Sequence, residues 1–332
     1  MSCQLIDRFG RHITYLRLSV TDRCDLRCVY CMCERMKFLP HNELLTLEEL
    51  DRLASIFIER GVRKVRVTGG EPLVRKGVIG LMEALSRHLQ TGRLDELTLT
   101  TNATLLAHHA EKLASIGVRR VNVSLDTLDA DRYRRITRYG TLSKVMEGLL
   151  VAQQAGLRIK LNAVALKDST PGEVHDMIAF AHSHQMDLTF IETMPLGDIE
   201  TDRAGQYLSL DALMRDIKSR WTVTSIPDRT GGPARYVRVE ETGGRLGFIT
   251  PMTNCFCDGC NRVRLSCAGV LHTCLGQEDS VDLKPILRAS ESDQAVHAAI
   301  DQAIETKPKG HDFVANGSGQ LQLARHMSAL GG

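Results

Sequence analysis

Six short runs of apolar and β-branched residues alternate with longer amphipathic stretches, and this alternation limits the fold more than any other feature. The strand candidates are residues 16–20, 64–68, 97–101, 121–124, 159–164 and 188–192. Helical patterns lie near residues 78–90, 105–116, 142–155 and 173–185. Thr46 and Glu49 form a capping box that opens a further helix, which ends at Gly61. Most repeats span roughly 25 to 40 residues, which is typical of βα units in a parallel sheet with right-handed crossovers.

Six strands are too few to close an eight-stranded barrel, so the pattern predicts an α/β fold with a curved, partial (β/α)6 barrel of the TIM type. A doubly wound, flavodoxin-like sheet has the same local signals and stays an alternative. Near residue 206 the pattern changes to a helix at 209–220, followed by short strands punctuated by glycine. We therefore predict a barrel domain at 1–205 and a C-terminal α+β region at 206–332.

The balance of charged residues indicates which classes of partner are not expected. Lys and Arg total 42 against 40 for Asp and Glu, which gives a formal net charge of +2. This balance gives no reason to expect a nucleic acid or a membrane surface as a partner. There is no cationic leader before an apolar segment at the start of the chain, and no apolar run of bilayer-spanning length. We expect a cytoplasmic protein.

The cysteines point to metal or redox chemistry. The chain has ten, and all except Cys3 lie in two groups, at residues 24–33 and 255–274. A disulfide framework would spread its cysteines along the chain, and disulfides are rare in the cytoplasm. The grouping therefore favours two metal centres.

The first group follows the first strand directly. Cys24, Cys28 and Cys31 have the spacing C-x3-C-x2-C, and three thiolates on a tight loop can hold three irons of a cubane cluster. The fourth iron is then open to a small chelating ligand, with Tyr30 beside it. A structural zinc site or a disulfide pair is the alternative, although zinc hooks normally use C-x2-C pairs. We interpret Cys33 as a free cysteine.

The second group repeats the arrangement in the C-terminal region. Cys257, Cys260 and Cys274 have the spacing C-x2-C-x13-C and could ligate a second cubane with an open iron. The alternative is a zinc site of the Cys3His type completed by His272, and Cys255 or Cys267 could also supply a fourth thiolate. The first cysteine group favours the second cluster over zinc.

Polar stretches follow the strands, at the end where parallel α/β folds gather their chemistry. They are the first cysteine loop, Gly69-Gly70-Glu71-Pro72, Thr100-Thr101-Asn102 and Ser124-Leu125-Asp126. The two glycines would let backbone approach a ligand closely, so that their N–H and C=O groups could pair with an amino acid moiety. An ordinary turn is the alternative for this stretch.

Cationic residues also fall in the strands and beside both cysteine groups. They are Arg17, Lys64, Arg66, Lys160, Arg262 and Arg264. Cations in strands that face a core need an anionic partner, and a triphosphate would satisfy several of them through charge-assisted bonds. Taken singly, each could instead be a solvated or salt-bridged surface residue.

Both cysteine groups, together with further motifs, resemble the GTP 3′,8-cyclase family (molybdenum cofactor biosynthesis protein A) of the radical S-adenosylmethionine superfamily. The first loop alone specifies only the superfamily. The other matching stretches are D-R-F-G-R from Asp7, Y-L-R-L-S from Tyr15, V-R-V-T-G-G-E-P-L from Val65, T-T-N from Thr100, N-V-S-L-D from Asn122, F-I-E-T-M from Phe190, C-x2-C-N-R-V-R-L from Cys257, L-H-T-C-L from Leu271 and the terminal Gly-Gly. The resemblance covers almost the whole chain.

The resemblance implies two [4Fe-4S] clusters and S-adenosylmethionine as cofactors. S-adenosylmethionine is expected at the open iron of the first cluster, in a pocket formed by Tyr30, Gly70, Glu71, Ser124 and Met194. An electron from that cluster cleaves the sulfonium, and the resulting 5′-deoxyadenosyl radical abstracts hydrogen from C3′ of GTP. The carbon radical then attacks C8 of guanine, which gives (8S)-3′,8-cyclo-7,8-dihydroguanosine 5′-triphosphate in the first step of molybdenum cofactor biosynthesis.

The same resemblance assigns substrate and partner roles. The second cluster's open iron is expected to contact guanine, and Arg17, Gly331 and Gly332 are implied to be catalytic. The residues implied to hold GTP are Arg17, Arg66, Thr100, Lys160, Arg262 and Arg264. A reduced flavodoxin or ferredoxin-type protein is the implied electron donor. Cyclic pyranopterin monophosphate synthase is the implied downstream enzyme, and a homodimer is among the expectations.

The chain departs from the family pattern at several positions. Thr189 stands where R-F-I-E usually has its arginine, which removes one expected triphosphate cation, and Ala103 stands where T-T-N-G is usual. Cys33, Cys255 and Cys267 are additional thiols. Two other functions remain as alternatives: a peptide-modifying radical enzyme with an auxiliary cluster, and a non-enzymatic zinc-thiolate interaction protein.

Overall fold

The computed structural model describes residues 4–197, 199, 203–228, 231–253, 256–311, 313 and 326–331. Cys3, Cys255 and Gly332 therefore lie outside the described residues. The described strands form one sheet of twelve, in the order β12-β11-β10-β1-β2-β3-β4-β5-β6-β9-β8-β7. The predicted α/β class is confirmed, and the sheet order places the first six strands together in the middle.

The six predicted strands all form, with ends that differ from the prediction by at most one residue. Their bounds are β1 (Tyr15–Ser19), β2 (Lys64–Thr68), β3 (Glu96–Thr101), β4 (Arg120–Ser124), β5 (Arg158–Ala165) and β6 (Asp187–Glu192). Each pairs in parallel with the next along the chain. Parallel neighbours with helical crossovers are the arrangement that the βα alternation predicts.

Helices connect these strands and cover the sheet. Their bounds are α1 (Leu47–Glu59), α2 (Val78–Gln90), α3 (Leu106–Ser115), α4 (Ala130–Thr137), α5 (Leu142–Gln154) and α6 (Thr170–Ser183). The capping box at Thr46 forms as predicted, with Glu49 N donating to Thr46 Oγ1 and Thr46 N to Glu49 Oε2. Gly61 follows the end of α1 with a φ of 98°, which favours glycine. The helix α4 was not predicted.

The C-terminal part of the chain extends the same sheet at both edges. Its strands are β7 (Val223–Ile226), β8 (Arg235–Val239), β9 (Arg245–Ile249), β10 (Arg262–Leu265), β11 (Val270–His272) and β12 (Ser280–Asp282). β10 pairs in parallel with β1, and β9 pairs in parallel with β6. Eight neighbouring strands are therefore parallel, and antiparallel hairpin strands continue the sheet outside them. The domain boundary at residues 205 and 206 stays a prediction.

Further helices belong to the C-terminal part: α7 (Arg203–Gln206), α8 (Leu210–Arg220), α9 (Lys284–Ala289), α10 (Gln294–Glu305) and α11 (Met327–Leu330). A continuous core of buried aliphatic side chains joins the central strands to α1–α6, α8 and α10. This burial removes apolar area from water and fixes the sheet that positions the polar residues described next. None of the described helices is both long and apolar enough to cross a membrane.

Candidate functional site

One cavity collects residues from almost every parallel strand. It is lined by Arg17 of β1, Arg66 of β2, Lys160 of β5, Ile191 of β6 and Arg264 of β10, among others. Because strands from β10 through β9, across the eight parallel strands of the sheet, line the same space, the sheet curves around it as a partial barrel does. The six cysteines predicted to hold clusters, Cys24, Cys28, Cys31, Cys257, Cys260 and Cys274, also line it. The structure therefore brings both cysteine sets together.

The first cysteine loop is held by elements that follow later strands. Asn102, after β3, donates to Asp25 Oδ1 at 2.7 Å and lies 3.9 Å from Cys24 Sγ. Thr104 donates to the other oxygen of Asp25 at 2.6 Å. Behind the loop, the end of α4 accepts hydrogen bonds from the backbone N–H groups of Arg27 and Val29. The T-T-N motif therefore fixes the cluster loop through Asp25.

The two glycines of G-G-E-P permit a close approach of two backbone segments. Gly70 N donates to Thr21 O and Glu71 N donates to Arg23 O, both at 2.8 Å. A Cβ atom at Gly70 would overlap the carbonyl oxygen of Arg23, so no larger residue fits without moving the loop. The Gly70 N–H group is therefore already bonded to the first cysteine loop, and pairing of an amino acid ligand with the other backbone groups of the two glycines stays a prediction. Gly69 and Gly70 still line the cavity.

Two buried carboxyl groups lie on the side of the cavity that carries the first cysteine loop. Glu71 accepts hydrogen bonds from Leu73 N, Thr101 Oγ1 and Asn102 N, at 2.6 to 3.0 Å. Burial raises its pKa to about 7 despite these donors. Asp126 accepts from Tyr30 Oη at 2.7 Å, and burial raises its pKa to about 6. Sequence reasoning quoted Asp126 within a motif but gave it no role; its signal was a carboxylate at a strand end.

The second cysteine set lies on the added edge of the sheet. Cys257 and Cys260 form a turn closed by a bond of 3.0 Å from Cys260 N to Cys257 O, immediately before β10. Cys274 follows β11, which pairs with β10. Burial alone raises the pKa of Cys260, but the nearby charges of Arg262 and Lys307 lower it to about 7. Two cations thus favour a thiolate at this position.

The first set has the opposite electrostatic surroundings. Burial raises the pKa of Cys24, and the charges of Asp25 and Glu71 raise it further. Burial also raises the pKa of Cys28, together with the charges of Cys31 and Asp126. The two cysteine sets therefore lie in acidic and basic environments respectively, although they share one cavity.

Five of the six predicted cations line the cavity, namely Arg17, Arg66, Lys160, Arg262 and Arg264. Burial, then the charges of other cations, lowers the pKa values of Arg66, Arg264 and Lys160, with Lys160 at about 7. Lys64 instead forms an ion pair of 2.7 Å with Glu96. Several cations repelling one another in a buried space are stabilised by an anionic ligand.

Buried polar atoms in the cavity also indicate that it binds a polar ligand. Among the described residues, Thr68 Oγ1, Thr100 Oγ1, Asn162 Oδ1 and Ser328 Oγ have no hydrogen-bond partner, and all four residues line the cavity. Buried polar side chains nearly always have partners. Their arrangement fits a polar ligand that supplies the missing bonds, as a nucleotide or S-adenosylmethionine would.

The C-terminal tail enters the cavity. Arg17 Nη2 donates to the Gly331 carbonyl oxygen at 2.6 Å, and Arg264 Nη1 donates to the Leu330 carbonyl oxygen at 3.1 Å. The tail thus contacts two of the residues predicted to hold GTP. Gly332, also predicted to be catalytic, lies outside the described residues. Ser124 and Met194 line the same cavity, as do Tyr30, Gly70 and Glu71.

The structure also locates the departures from the family pattern. Thr189 is fully buried, and its Oγ1 has no hydrogen-bond partner among the described residues. Cys33 Sγ lies 4.0 Å from Met36 Sδ, and Cys267 is buried. Ala103 adopts a φ of 64°, so the position usually taken by glycine keeps a left-handed conformation.

Sequence reasoning missed Glu192, a buried residue at the end of β6. Its carboxylate accepts hydrogen bonds from Thr253 Oγ1 at 2.7 Å and Met252 N at 3.0 Å. It also accepts from Tyr207 Oη and Leu210 N at 3.4 Å. Glu192 therefore joins the barrel to the chain that leads to the second cysteine set. Its only signal was an acidic residue at a strand end within F-I-E-T-M.

In the part of the chain that the structure describes, no three Cys, His, Asp or Glu side chains meet at a position for one metal ion. In a cubane each thiolate ligates its own iron, so the three sulfur atoms of a set need not meet at one position.

Comparisons with known proteins decide the family. Residues 18–181 match the Radical SAM superfamily, and residues 186–313 match Molybdenum Cofactor Synthesis C. GTP 3′,8-cyclase of Brucella ovis is 60% identical over 99% of this chain and 96% of that protein. GTP 3′,8-cyclase of Rhizobium etli is 61% identical over 99% of this chain and 94% of that protein. The chain belongs to the GTP 3′,8-cyclase family.

Family membership confirms the enzyme prediction and, with it, a radical S-adenosylmethionine enzyme of molybdenum cofactor synthesis. The zinc-thiolate interaction protein is thereby set aside. The crystal structure of Streptococcus suis SuiB bound to S-adenosylmethionine has a TM-score of 0.62 and 16% identity, and covers 88% of this chain and 67% of that one. At this identity the likeness shows the radical S-adenosylmethionine fold alone.

Proposed function

We propose that this enzyme converts GTP into (8S)-3′,8-cyclo-7,8-dihydroguanosine 5′-triphosphate, the first step of molybdenum cofactor biosynthesis. The observation that carries the proposal is one cavity lined by two three-cysteine sets and five cations. Such a cavity can hold a radical source and a nucleotide close together, and proximity of this kind lowers the barrier of a bond-forming step.

The predicted site residues would have different roles on the two sides of the cavity. Cys24, Cys28 and Cys31 would hold the first [4Fe-4S] cluster, and Cys257, Cys260 and Cys274 the second. When bound at this loop with S-adenosylmethionine, the first cluster would supply the radical chemistry needed to remove hydrogen from C3′ of GTP. Tyr30, Gly70, Glu71, Ser124 and Met194 would surround S-adenosylmethionine.

The cations would bind the triphosphate and orient the ribose. Arg66 of β2 lies close enough to Lys160 of β5 for its charge to lower the pKa of Lys160, and Arg262 and Arg264 lie beside the second cysteine set. Charge-assisted bonds from these side chains would compensate the triphosphate charge, while Thr100 offers a hydroxyl without a described partner. Arg17 would connect the nucleotide to the C-terminal glycines.

An acidic one-electron donor such as reduced flavodoxin or ferredoxin would reduce the first cluster. Residues 23–38 and 129–138 contain eight Lys and Arg against four Asp and Glu, a larger excess than the net +2 of the whole chain. Backbone bonds from Arg27 to Thr137 and from Val29 to Ile136 join the two segments. Positive charge around the loop would attract an acidic partner.

The test is anaerobic turnover of reconstituted enzyme with S-adenosylmethionine and GTP that carries deuterium at C3′. We expect one deuterium in 5′-deoxyadenosine and a cyclised nucleotide that has lost the deuterium from C3′. Unlabelled 5′-deoxyadenosine without a nucleotide product would reject GTP as the substrate. In a second arm, turnover driven by reduced flavodoxin should fall as salt rises, while turnover driven by dithionite should not.

Lys160 makes GTP binding depend on pH. Its Nζ lies 2.6 Å from Tyr236 Oη, and burial, then Arg66 and Arg120, lowers its pKa to about 7. The ammonium binds the triphosphate and the neutral amine does not, so affinity should weaken about tenfold as pH rises from 6 to 8. Lys160→Met should remove this part of the dependence. Equilibrium binding of GTP to both proteins, compared at each pH, cancels the titration of GTP itself.

A matched control for this measurement is Lys112→Met, which removes an exposed lysine paired with Glu83. It should keep the wild-type pH profile. An unchanged profile in Lys160→Met would show that Lys160 does not contact the triphosphate. The cytoplasmic location, a homodimer, the absence of a nucleic acid partner and consumption of the product by cyclic pyranopterin monophosphate synthase stay predictions.

A further inference from the structure

Lys307 is a buried lysine that contacts both segments of the second cysteine set. Its side chain is only 1% exposed, and it follows the end of α10. Its Nζ donates to the Arg262 carbonyl oxygen at 3.1 Å, to Cys260 Sγ at 3.7 Å and to the Thr273 carbonyl oxygen. An ammonium has three N–H donors, and these three acceptors use all of them. Lys307 therefore ties the Cys257–Cys260 turn to the segment that carries Cys274.

The charge of Lys307 has no carboxylate among these acceptors. Two are backbone carbonyls, and the third is the sulfur of Cys260. A buried ammonium requires an anionic partner, because its transfer from water is costly. The thiolates of the second set, and a cluster bound to them, are the anions that this position provides.

Arg11 strengthens the same contact from the other side. Its guanidinium is ion-paired with Asp7 at 2.6 Å and donates to the carbonyl oxygens of Cys257, Pro308 and Lys309 at 2.6 to 2.8 Å. The D-R-F-G-R motif thus holds the segment after α10 against the Cys257–Cys260 turn. This places the Lys307 ammonium in a fixed position, with few alternative rotamers.

We propose that Lys307 positions the ligand segments of the second cluster and raises the reduction potential of that cluster. Hydrogen bonds to ligand sulfur and nearby positive charge stabilise the reduced, more negative state. In the first set, Cys24 lies near the charges of Asp25 and Glu71, and Cys28 lies near that of Asp126. The second cluster should therefore have the higher potential of the two. This inference rests on the proposed function only in assigning a cluster to Cys257, Cys260 and Cys274.

The experiment isolates the second cluster in the full-length chain with Cys24, Cys28 and Cys31 replaced by Ala. This parent is reconstituted anaerobically, its iron is counted, and its midpoint potential is measured by EPR-monitored titration. Adding Lys307→Met should lower the equilibrium constant for reduction about tenfold, which is 59 mV for a one-electron couple. Lys307→Arg keeps the cation and should stay near the parent value.

Lys309→Met is the matched control, because Lys309 is exposed, lies two residues away and carries the same charge. It should leave the potential unchanged. An unchanged midpoint in Lys307→Met with about four irons bound, the content of one cubane, would overturn the proposal. If Lys307→Met loses its iron, reloading in Lys307→Arg supports the proposal and failure to reload overturns it. A parent without iron would refute the second cluster itself, before any lysine is changed.

Discussion

Replacing Cys24 with Ala should reduce GTP conversion to the uncatalysed background and lower the iron content from about eight to about four atoms per chain. Cys24 is one of only three thiolates in the first set, so its removal leaves two ligands for the cluster. Its sulfur is already placed for ligation, with Leu26 N at 3.4 Å and Asn102 Nδ2 at 3.9 Å. Anaerobic iron and sulfide analysis, together with assays for 5′-deoxyadenosine and the cyclised nucleotide, measures both effects.

Cys33→Ala is the matched control, because it removes a thiol from the same loop. The Cys33 sulfur contacts Met36 at 4.0 Å and is not among the residues that line the cavity. We expect this variant to keep about eight irons and its activity. If Cys24→Ala converted GTP as well as the wild type does, the first cluster could not be the radical source.

The central sheet could be predicted from sequence because its signals are local. Strands β1 to β6 bury most of their residues, and their apolar runs are bounded by polar turns, so each could be recognised without its neighbours. The capping box of α1 is also local, since Thr46 and Glu49 contact each other directly. Where side chains within a few residues determine a structure, the sequence shows it.

The helix α4 was not predicted, although Asp129 caps its first turn and accepts a hydrogen bond from Arg132 N at 2.6 Å. Its sequence A-D-R-Y-R-R-I-T is mostly polar, and only Tyr133, Ile136 and Thr137 are buried. Its end accepts backbone hydrogen bonds from the first cysteine loop, about a hundred residues earlier in the sequence. The helix is only eight residues long, and so short a helix depends on tertiary contacts such as these, which the sequence does not show.

The residues of the candidate site also include some that the sequence identified and others that it did not. The six cluster cysteines and the cavity cations carry their own chemistry, so spacing and residue type identified them. Arg11, Glu192 and Lys307 act through contacts with residues more than forty positions away in most cases. No periodicity or spacing marks such a pair. The family resemblance identified the motif D-R-F-G-R, which contains Arg11, but it did not show which residues Arg11 contacts.

Deleting Gly331 and Gly332 should leave the fold and both clusters intact and abolish product formation. Arg17 and Arg264 donate to the carbonyl oxygens of Gly331 and Leu330, so the tail orients two cations that also face the nucleotide. Without the two glycines, Arg17 loses the Gly331 carbonyl oxygen, its described partner in the tail. The nucleotide also loses a neighbouring chain segment that would restrict its position. Circular dichroism, iron content and product formation separate folding from turnover. Normal turnover by the truncated chain would show that the tail has no role.

Gly331→Ala tests the same contact without shortening the chain. Gly331 has a φ of 79°, and a Cβ there would overlap Thr68 Oγ1, so the tail must move. A displacement of about 1 Å at an active site can cost about 100-fold in rate, and we expect a loss of that order in kcat.

Gly156→Ala is the matched control, with a φ of 83° and nothing within 4 Å of the added Cβ. It should cost about 1 kcal/mol of stability from the backbone conformation alone and keep full activity. If the two variants were equally active, the Gly331 contact would have no role in catalysis. Both variants have backbone strain, but only Gly331→Ala also has the overlap with Thr68.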